Sequence, residues 1–436
     1  PQSSHLKEDI LLCLLLFPIF SIQSVHGYCK QALSKVLEAK KNTFYRFKND
    51  FWINWRNILE ACNKRLYKQL EKIKPGTGHS PRCLIVDDTD FEKTSYKTEH
   101  VGKIWSHVKH LSFYGFKGLF LAFWDGKSLF TVHFSLHKEK RKNKKKPFGL
   151  SAKQKKKQFS KQRPNCSPGS KREKELLLDK ISTAVSMVKK LVKQGLVVDY
   201  LLMDSWFFCD KFLKLVSNLS YPFHIVGMVK MAKAKYEYKS KNYTAKELGQ
   251  LLKRSKKVKW VKKLQFYCAE IEVIYKSTPL KLYFCKTSKH GKWHLLASTN
   301  TALGILSAYE IYSIRWGIEV FFKESKQYFG LGKSQSQDFD AQITDISIAM
   351  IEYNVFSLAK RIEAYETIGG LFEQVKDQAM ELTIAQRIWG FILELLRIIA
   401  DLIDGDFNEL IINIMKNKQK DNKIFKLIES QLSIAA

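Results

Sequence analysis

A sixteen-residue stretch, IYSIRWGIEVFFKESK, combines residue types and a spacing that could do chemistry. If it is a helix, about 100° per residue brings four polar positions within a sector of roughly 60°. These are Tyr312, Arg315, Glu319 and Lys326, and Lys323 lies on the same stripe. The opposite flank is apolar, so the stripe could hold one carboxylate among cations that contact phosphates. It could equally be a solvent-exposed face with an ordinary i,i+4 ion pair between Arg315 and Glu319.

Two further acidic positions follow short apolar runs. The run CLIV leads into Asp87 and Asp88, and the run YLLM leads into Asp204. This pattern is typical of a buried strand whose carboxylates emerge at its carboxyl end. Strand alternation alone does not choose between Asp87 and Asp88, because either could face a site. We expect Asp88 to be the acid that joins Asp204.

Asp88, Asp204 and Glu319 would then lie together at one edge of a sheet. Carboxylate oxygens suit Mg²⁺ or Mn²⁺, which also accept water and bridge phosphate oxygens. Two such ions can activate the attacking oxygen and stabilise the leaving one during displacement at phosphorus. That chemistry needs no cysteine ligand. The eight cysteines are scattered without a C-x-x-C pair, which argues against a zinc module and for a reducing compartment.

The elements that must position these acids alternate between strands and helices. Two β-type runs, 111–124 and 128–137, are joined by Asp125 and Gly126, a strong hairpin signal. An amphipathic helix is predicted over 173–194. The whole order is strand, strand, strand, helix, strand, helix, strand, and the last three elements begin near 197, 207 and 222.

Residues 232–300 interrupt this order with short β-type runs among many lysines, so we expect a β-rich insertion before the central helix. The runs cover 258–264, 265–275, 280–285 and 293–297. After the central helix, residues 343–361 and 365–435 have an apolar, helical pattern.

Residues 1–80 are also predicted to be helical. The apolar run at 10–20 is too short to span a bilayer and contains Pro18, so we expect a buried helix. Aromatic and cationic residues mix over 42–56, as in a helical domain that contacts DNA, although core aromatics explain the same pattern. The chain begins at Pro1 rather than Met, which leaves open whether a few residues precede it.

The formal net charge of +32 favours a polyanionic partner, nucleic acid first and anionic membrane second. It disfavours enzymes for neutral substrates, such as glycosidases. Residues 138–175 hold 16 Lys and Arg against 3 Asp and Glu, which predicts a loosely held loop that tracks phosphates. Residues 361–436 hold 9 against 12, so we expect this end to contact protein.

Taken together, these motifs resemble the bacterial cut-and-paste insertion-sequence transposases of the DDE class that carry a β-insertion between the second Asp and the Glu. The strand and helix order over about 80–360 is similar to the ribonuclease H-like, or retroviral-integrase-like, fold. The D-D-T at 87–89 resembles the first-acid motif, and Asp204 in LLMDSW resembles the second. The family's Y-(2)-R-(3)-E-(6)-K signature is reproduced by Tyr312, Arg315, Glu319 and Lys326.

The resemblance implies an α/β ribonuclease H-like core with a β-rich insertion, flanked by helical regions. Its implied domains are a helical DNA-binding domain at 1–80, the first part of the core at 81–231 with the Lys-rich loop 138–172, the insertion at 232–300, the second part of the core with the Glu helix at 301–360, and a C-terminal helical dimerisation region at 361–436.

The resemblance also implies roles for single residues. Asp88, Asp204 and Glu319 would be catalytic and hold Mg²⁺ or Mn²⁺, as two ions. Trp293 would stack a base taken out of the duplex, with a core tryptophan as the alternative, and Trp316 would pack or stack beside the same site. The residues that would contact DNA phosphates are Tyr312, Arg315, Lys323 and Lys326.

The implied reaction is nicking, attack of the 3′-OH on the other strand to give a hairpin, hairpin opening and strand transfer. The implied partners are double-stranded DNA, as terminal inverted repeats and target, and a second copy of the chain in a synaptic complex, with no membrane. The implied location is the bacterial cytoplasm, at the nucleoid. The alternatives are a ribonuclease H-like nuclease or resolvase that cuts without joining, and a domesticated DNA-binding protein without catalysis.

Overall fold

Strands rich in aromatic and β-branched residues form one mixed sheet, with helices on both of its faces. The computed structural model describes residues 7–30, 39–72, 80–217, 223–362 and 366–378, and twelve strands of these ranges belong to the sheet. A mixed α/β architecture with a large sheet is therefore confirmed.

The predicted hairpin is present as β3 (Leu111–Trp124) and β4 (Leu129–His137). Gly126 has a φ of +105°, which glycine adopts without strain, and Asp125 Oδ1 accepts hydrogen bonds from two backbone amides of the turn. β3 also pairs with a short strand, β2 (Gly102–Ser106), which the sequence does not predict. Its five residues are too few for a readable alternation.

The first acid-bearing strand, β1 (Cys83–Glu92), is longer than predicted. All ten of its residues pair antiparallel with β3, and the buried ring of Phe91 keeps the outer half against the core. Asp87 and Asp88 therefore lie in the middle of the strand rather than at its end. As successive residues of a strand, they point to opposite faces of the sheet.

The second acid follows the strand on the other side of β1. β5 (Tyr200–Met203) runs parallel to β1, and the last pair of their register is Val86 with Met203. Asp87 is the next residue of β1, and Asp204 directly follows the end of β5. The backbone register thus brings these two acids to neighbouring positions.

Each face of β1 packs on a different helix. Val86 belongs to a core formed with α7 (Lys180–Lys193). On the other face, the ring of Phe120 lies 5.5 Å from the ring of Phe321 in α11 (Trp316–Tyr328). The direction of a β1 side chain therefore decides which helix it meets.

The amphipathic helix predicted over 173–194 is in fact two helices. α6 (Pro168–Glu175) begins after the N-cap Ser167, and α7 begins after the N-cap Asp179, whose side chain accepts a hydrogen bond from Ser182 N. The helix after β5 is α8 (Asp210–Ser217). A second capping residue inside the predicted run is what divides it.

The β-rich insertion extends the same sheet. The predicted strands are found as β9 (Lys259–Val261), β10 (Phe266–Tyr275), β11 (Thr278–Lys286) and β12 (His294–Ser298). β12 pairs antiparallel with β6 (His224–Val229), which in turn runs parallel to β5. The sequence misses the hairpin β7 (Lys235–Tyr238) and β8 (Lys241–Thr244), and the helix α9 (Ala245–Arg254).

The prediction of a loosely held Lys-rich loop is wrong. The loop contains α5 (Ala152–Lys156) and is tied to the core by Arg163, whose side chain is fully buried. The Arg163 guanidinium donates to Glu99 Oε2 at 2.6 Å and to Asp340 Oδ2 at 3.0 Å. Gln158 donates to three backbone carbonyl oxygens. Composition alone does not reveal these anchors, because the lysines that dominate it are exposed.

Helices from both ends of the described chain pack together beside β4. They are α1 (Lys7–Leu16), α2 (Val25–Tyr28), α3 (Lys41–Lys48), α4 (Trp55–Lys72) and α12 (Phe339–Ile362). The buried amides of Asn63 and Asn354 bond to each other and to Thr131, which joins α4, α12 and β4. Of the aromatics noted in this region, Phe44, Phe47 and Trp55 are core residues, whereas Tyr45 and Trp52 are exposed.

The chain divides into two units, residues 1–372 and 373–436. Residues 368–372 are helical, and the second unit is described only for 373–378, so most of the predicted C-terminal helical region lies outside the described residues. Every helix in the described ranges falls short of the length or the apolar character that a membrane crossing needs.

Candidate active site

The stretch predicted as one helix is two helices with a tight turn between them. α10 (Ile305–Ser313) ends just after Tyr312, and α11 begins just after Arg315. At the junction, the amides of Ile314 and Arg315 donate to carbonyl oxygens three residues earlier, at 3.2 and 3.0 Å. This is the hydrogen-bond pattern of a 3₁₀ turn. Arg315 thus sits at a break in the helix.

Arg315 joins two carboxylates. Its Nη1 donates to Asp87 Oδ2 at 2.8 Å, and its Nη2 makes a short hydrogen bond to Glu319 Oε1. The side chains of Arg315 and Asp87 are each 14% exposed. The i,i+4 pair foreseen for a plain helix face is therefore present, but a third group from β1 completes it in a mostly buried place.

Asp87 has the electrostatic surroundings of a functional acid. Burial raises its pKa to about 7, the nearby Arg315 opposes that shift, and the charges of Asp204 and Asp88 add to it. Burial also raises the pKa of Tyr312, whose ring lies 5.6 Å from the Arg315 guanidinium carbon. The charge of Asp204 raises the pKa of both Tyr312 and Asp87, so these side chains form one group at the junction of α10 and α11.

Asp88 does not join this group around Arg315, which corrects the expectation from sequence. It lies on the face of β1 that carries Val86, and its carboxylate makes a short ion pair with Lys180, the first residue of α7. The physical reason is strand alternation, since only one of two successive side chains can point toward α11. Only the packing of the helices distinguishes the two positions: Asp87, rather than Asp88, meets the Arg315 that also pairs with Glu319.

Asp204 is held by the turn that follows β5. Its Oδ1 accepts hydrogen bonds from the backbone amides of Trp206, at 2.9 Å, and Phe207, at 3.2 Å. An aspartate that bonds to the backbone two and three residues ahead is a common turn-forming arrangement. The position of this carboxylate is therefore set by the backbone.

The two lysines of the stripe behave differently. Lys326 Nζ donates to Thr89 Oγ1 at 2.7 Å, and burial lowers the pKa of this lysine. Thr89 is on the same face of β1 as Asp87, so Lys326 secures α11 against that face. Lys323 is exposed and points to solvent. The structure brings Lys326 to the acid-bearing strand and leaves Lys323 outside the group.

The tryptophans also separate. Trp293 packs inside the insertion, with its ring 5.7 Å from that of Phe284 and the Lys286 Nζ 4.6 Å from its centroid. A Cβ on Gly249 would lie 3.0 Å from Trp293 Nε1, so the contact is tight. Trp316, next to Arg315, is 62% exposed. Trp293 is thus partly buried against the hydrophobic core, and its stacking role stays a prediction.

The acids fit a divalent ion by type but do not form a ready cage. Within the described residues, no three His, Cys, Asp or Glu side chains gather closely enough to hold a metal. Oxygen donors suit Mg²⁺ or Mn²⁺, and a cation close to a buried carboxyl favours its ionised form. Arg315 provides that cation between Asp87 and Glu319.

A family comparison now gives the class of the region. Residues 168–355 match the family of transposase DDE domains. The match begins in α6, ends in α12 and includes Asp204, Arg315 and Glu319, so it supports a DNA transposase of the DDE class. It covers less than half of the chain and does not reach β1. No curated protein matches this chain in sequence.

Two solved structures show limited likeness. One is a cryo-EM structure of a piggyBac transposase synaptic complex with hairpin DNA, with a TM-score of 0.45, 14% identity, and coverage of 86% of this chain and 71% of that chain. The other is the NurA nuclease from Sulfolobus solfataricus, with a TM-score of 0.24, 9% identity, and coverage of 65% and 86%. At these scores neither likeness defines the fold.

Proposed function

We propose that this chain is a DDE transposase that cuts and joins DNA with Asp87, Asp204 and Glu319 as its three acids. The observation that carries the proposal is the meeting of Asp87 and Glu319 at Arg315, with Asp204 directly after the end of the neighbouring strand β5. These residues come from three separate elements. An ordinary surface ion pair would not need a buried carboxyl from a central strand.

We infer a ribonuclease H-like core around these acids. Support comes from the strand arrangement, in which β4, β3 and β1 are antiparallel neighbours and β5 and β6 continue the sheet parallel to β1. The insertion between Asp204 and Glu319 would extend that sheet from β6. The proposed domain limits are those implied by the resemblance: 1–80, 81–231, 232–300, 301–360 and 361–436.

The three carboxylates would hold Mg²⁺ or Mn²⁺, in a two-ion arrangement. When bound, such ions supply charge stabilisation and activate oxygen nucleophiles during displacement at phosphorus. Asp204 is held ready by the amides of Trp206 and Phe207. Arg315 keeps the charge of the buried Asp87 compensated and is free to pair with a phosphate once the acids have another cation.

The remaining stripe residues would position DNA. Tyr312 and Arg315 lie at the acids, and Lys326 is fixed beside them through Thr89. Because these groups are partly buried, their contacts with a phosphate would be less screened by salt than those of exposed lysines. Exposed Lys323 would add a weaker contact with the backbone.

The finer parts of the proposal concern the pathway and the assembly. We propose a hairpin intermediate at insertion-sequence ends, with Trp316 beside the site, and a homodimer that brings two ends together. The packing of Trp293 argues for a structural role in the insertion. The net charge of +32 is consistent with inverted-repeat and target DNA as partners, and the bacterial nucleoid as location.

The test uses a DNA fragment that bears the element's own end, Mg²⁺, and wild type beside Glu319→Gln on a denaturing gel. We expect nicks and a hairpin-sized product from the wild type alone, and joined products when target DNA is added. Nicks without joining would favour a nuclease or resolvase. DNA binding without any cleavage by the wild type would favour a non-catalytic binder and contradict the proposal.

A further inference from the structure

The Asp88 face of β1 carries a second group that the proposed chemistry does not use. Lys180, at the start of α7, pairs with Asp88 and places its Nζ 4.1 Å from the centre of the Trp206 ring. Trp206 is the second residue after Asp204 and is 40% exposed. Lys180 therefore contacts an exposed indole that belongs to the same turn as Asp204.

Trp206 is held on several sides. The backbone amide of Trp206 donates to Asp204 Oδ1 at 2.9 Å. The Trp206 ring meets the ring of Phe207 edge to face with 4.8 Å between the ring centroids, and Phe207 is itself 1% exposed. Lys180, which is anchored by Asp88, covers it from α7. A ring restrained in this way loses little freedom when a planar partner stacks on it.

Trp293 and Trp316, the two tryptophans that the sequence singled out, do not combine exposure with support. Trp293 is packed against Phe284 in the insertion. Trp316 is 62% exposed, but among the described residues it makes no aromatic or cation–π contact. Trp206 alone of these three is both open and braced.

We propose that Trp206 is a stacking surface for an unpaired nucleotide at a DNA end, with Lys180 as the residue that positions the indole. The proposal rests on the proposed function, since it places the nucleotide beside the acids that would cut. Stacking on an indole tolerates any base, because every base has a π face. The ligand class is thus a frayed or overhanging DNA end rather than a particular sequence.

The first test locates the contact directly. The full chain, in EDTA so that no cleavage occurs, is irradiated with a duplex whose single-stranded overhang carries 5-iodouracil, and the crosslinked peptide is identified by mass spectrometry. We expect the crosslink on the peptide that contains Trp206. A crosslink on the peptides of Trp293 or Trp316, or none at all, overturns the proposal.

The second test measures the preference for an overhanging duplex over a blunt one. Trp206→Ala should lower that affinity ratio about tenfold, within the range for one stacked base, and Trp206→Phe should retain part of it. Lys180→Met should lower it a few-fold. The matched control is Trp260→Ala, which removes an equally exposed tryptophan (45%) from the insertion. An unchanged ratio in Trp206→Ala, or an equal fall in Trp260→Ala, contradicts the proposal.

Cleavage of the element's end by the wild type with Mg²⁺ is scored separately. Cleavage without a Trp206 crosslink would overturn the stacking surface and leave the proposed function standing. A Trp206 crosslink and a Trp206-dependent preference without cleavage would support the stacking surface while the proposed function fails. Melting curves of the variants distinguish a lost contact from a lost fold.

Discussion

Two adjacent acids on opposite faces of β1 differ in their burial and in their partners. Asp87 points toward α11, is 14% exposed and shares Arg315 with Glu319. Asp88 points toward α7, is 26% exposed and has Lys180 as its own partner. Both residues are aspartates, so their different burial and partners come from the sheet register and from the helices that cover each face.

Burial, more than the presence of a cation, distinguishes Asp87 as the proposed catalytic acid. Both carboxylates have a basic partner, yet only Asp87 lies among other acids in a mostly buried place, where its pKa rises to about 7. A buried negative charge must be compensated, by Arg315 or by another cation. Asp88 instead supports a lysine and, through it, Trp206.

The largest expected effect separates the two acids in catalysis. Asp87→Asn should lower the rate of end cleavage by about 10³-fold or more, as for loss of a group that stabilises charge in the transition state. Asp88→Asn should lower it by about tenfold or less, because it disturbs only the Lys180 side. Single-turnover cleavage rates check this, and equal losses in the two variants would erase the comparison.

A pH dependence should follow from the raised pKa of Asp87. A folded-state pKa above the unfolded value means that the protonated carboxyl contributes stability that is complete below about pH 4 and lost as the pH rises to about 7. Relative to Asp87→Asn, the wild type should lose up to about 4 kcal/mol of unfolding free energy across that window.

Urea denaturation in EDTA at a series of pH values measures this difference. The Asp88→Asn variant is the matched control, since it makes the same substitution on the opposite face of β1 and leaves Asp87 in place. Parallel curves for wild type and Asp87→Asn would show that Asp87 does not titrate as the structure implies.

Removing the shared cation should weaken the Asp87 face. At a pH above the Asp87 pKa of about 7, Arg315→Ala should lower the unfolding free energy in EDTA by about 3 kcal/mol, because the buried carboxylate is left unpaired or must take up a proton. Arg315→Lys should restore only part, since an ammonium cannot bridge two carboxylates as a guanidinium does. Chemical denaturation provides the measurement, and an unchanged midpoint in Arg315→Ala would mean that the bridge contributes nothing.

The smallest effect is expected at Lys323, which lies on the same helix but in solvent. Lys323→Gln should change stability by less than about 0.5 kcal/mol. If Lys323 contacts a phosphate, the slope of log affinity against log salt should become less steep by about 1. A loss comparable to that of Arg315→Ala would contradict the placement of Lys323 outside the group.

Much of the fold could be predicted where the signal is local. The hairpin of β3 and β4 follows from Asp-Gly between alternating runs, and β10 and β11 follow from their β-branched and aromatic content. The predicted single helix differs little from the structure in where it places Tyr312, because the 3₁₀ turn at Arg315 keeps that ring close to the guanidinium. Short elements such as β2 left no pattern long enough to read.

The features that could not be predicted depend on tertiary contacts. Choosing between Asp87 and Asp88 requires knowledge of which helix covers which face of β1. The order in the Lys-rich loop depends on the buried Arg163 and its acids Glu99 and Asp340, which are far apart in sequence. Patterns along the chain report neither the pairing nor the burial that decides these cases.

The most direct test of the central claim is a Mn²⁺ titration followed by electron paramagnetic resonance, on wild type, Asp87→Asn and Asp88→Asn. The structure predicts that Asp88→Asn binds Mn²⁺ within a few-fold of the wild type, whereas Asp87→Asn binds it about tenfold or more weakly. The reverse order, with the loss in Asp88→Asn, would contradict the assignment of Asp87 to the site.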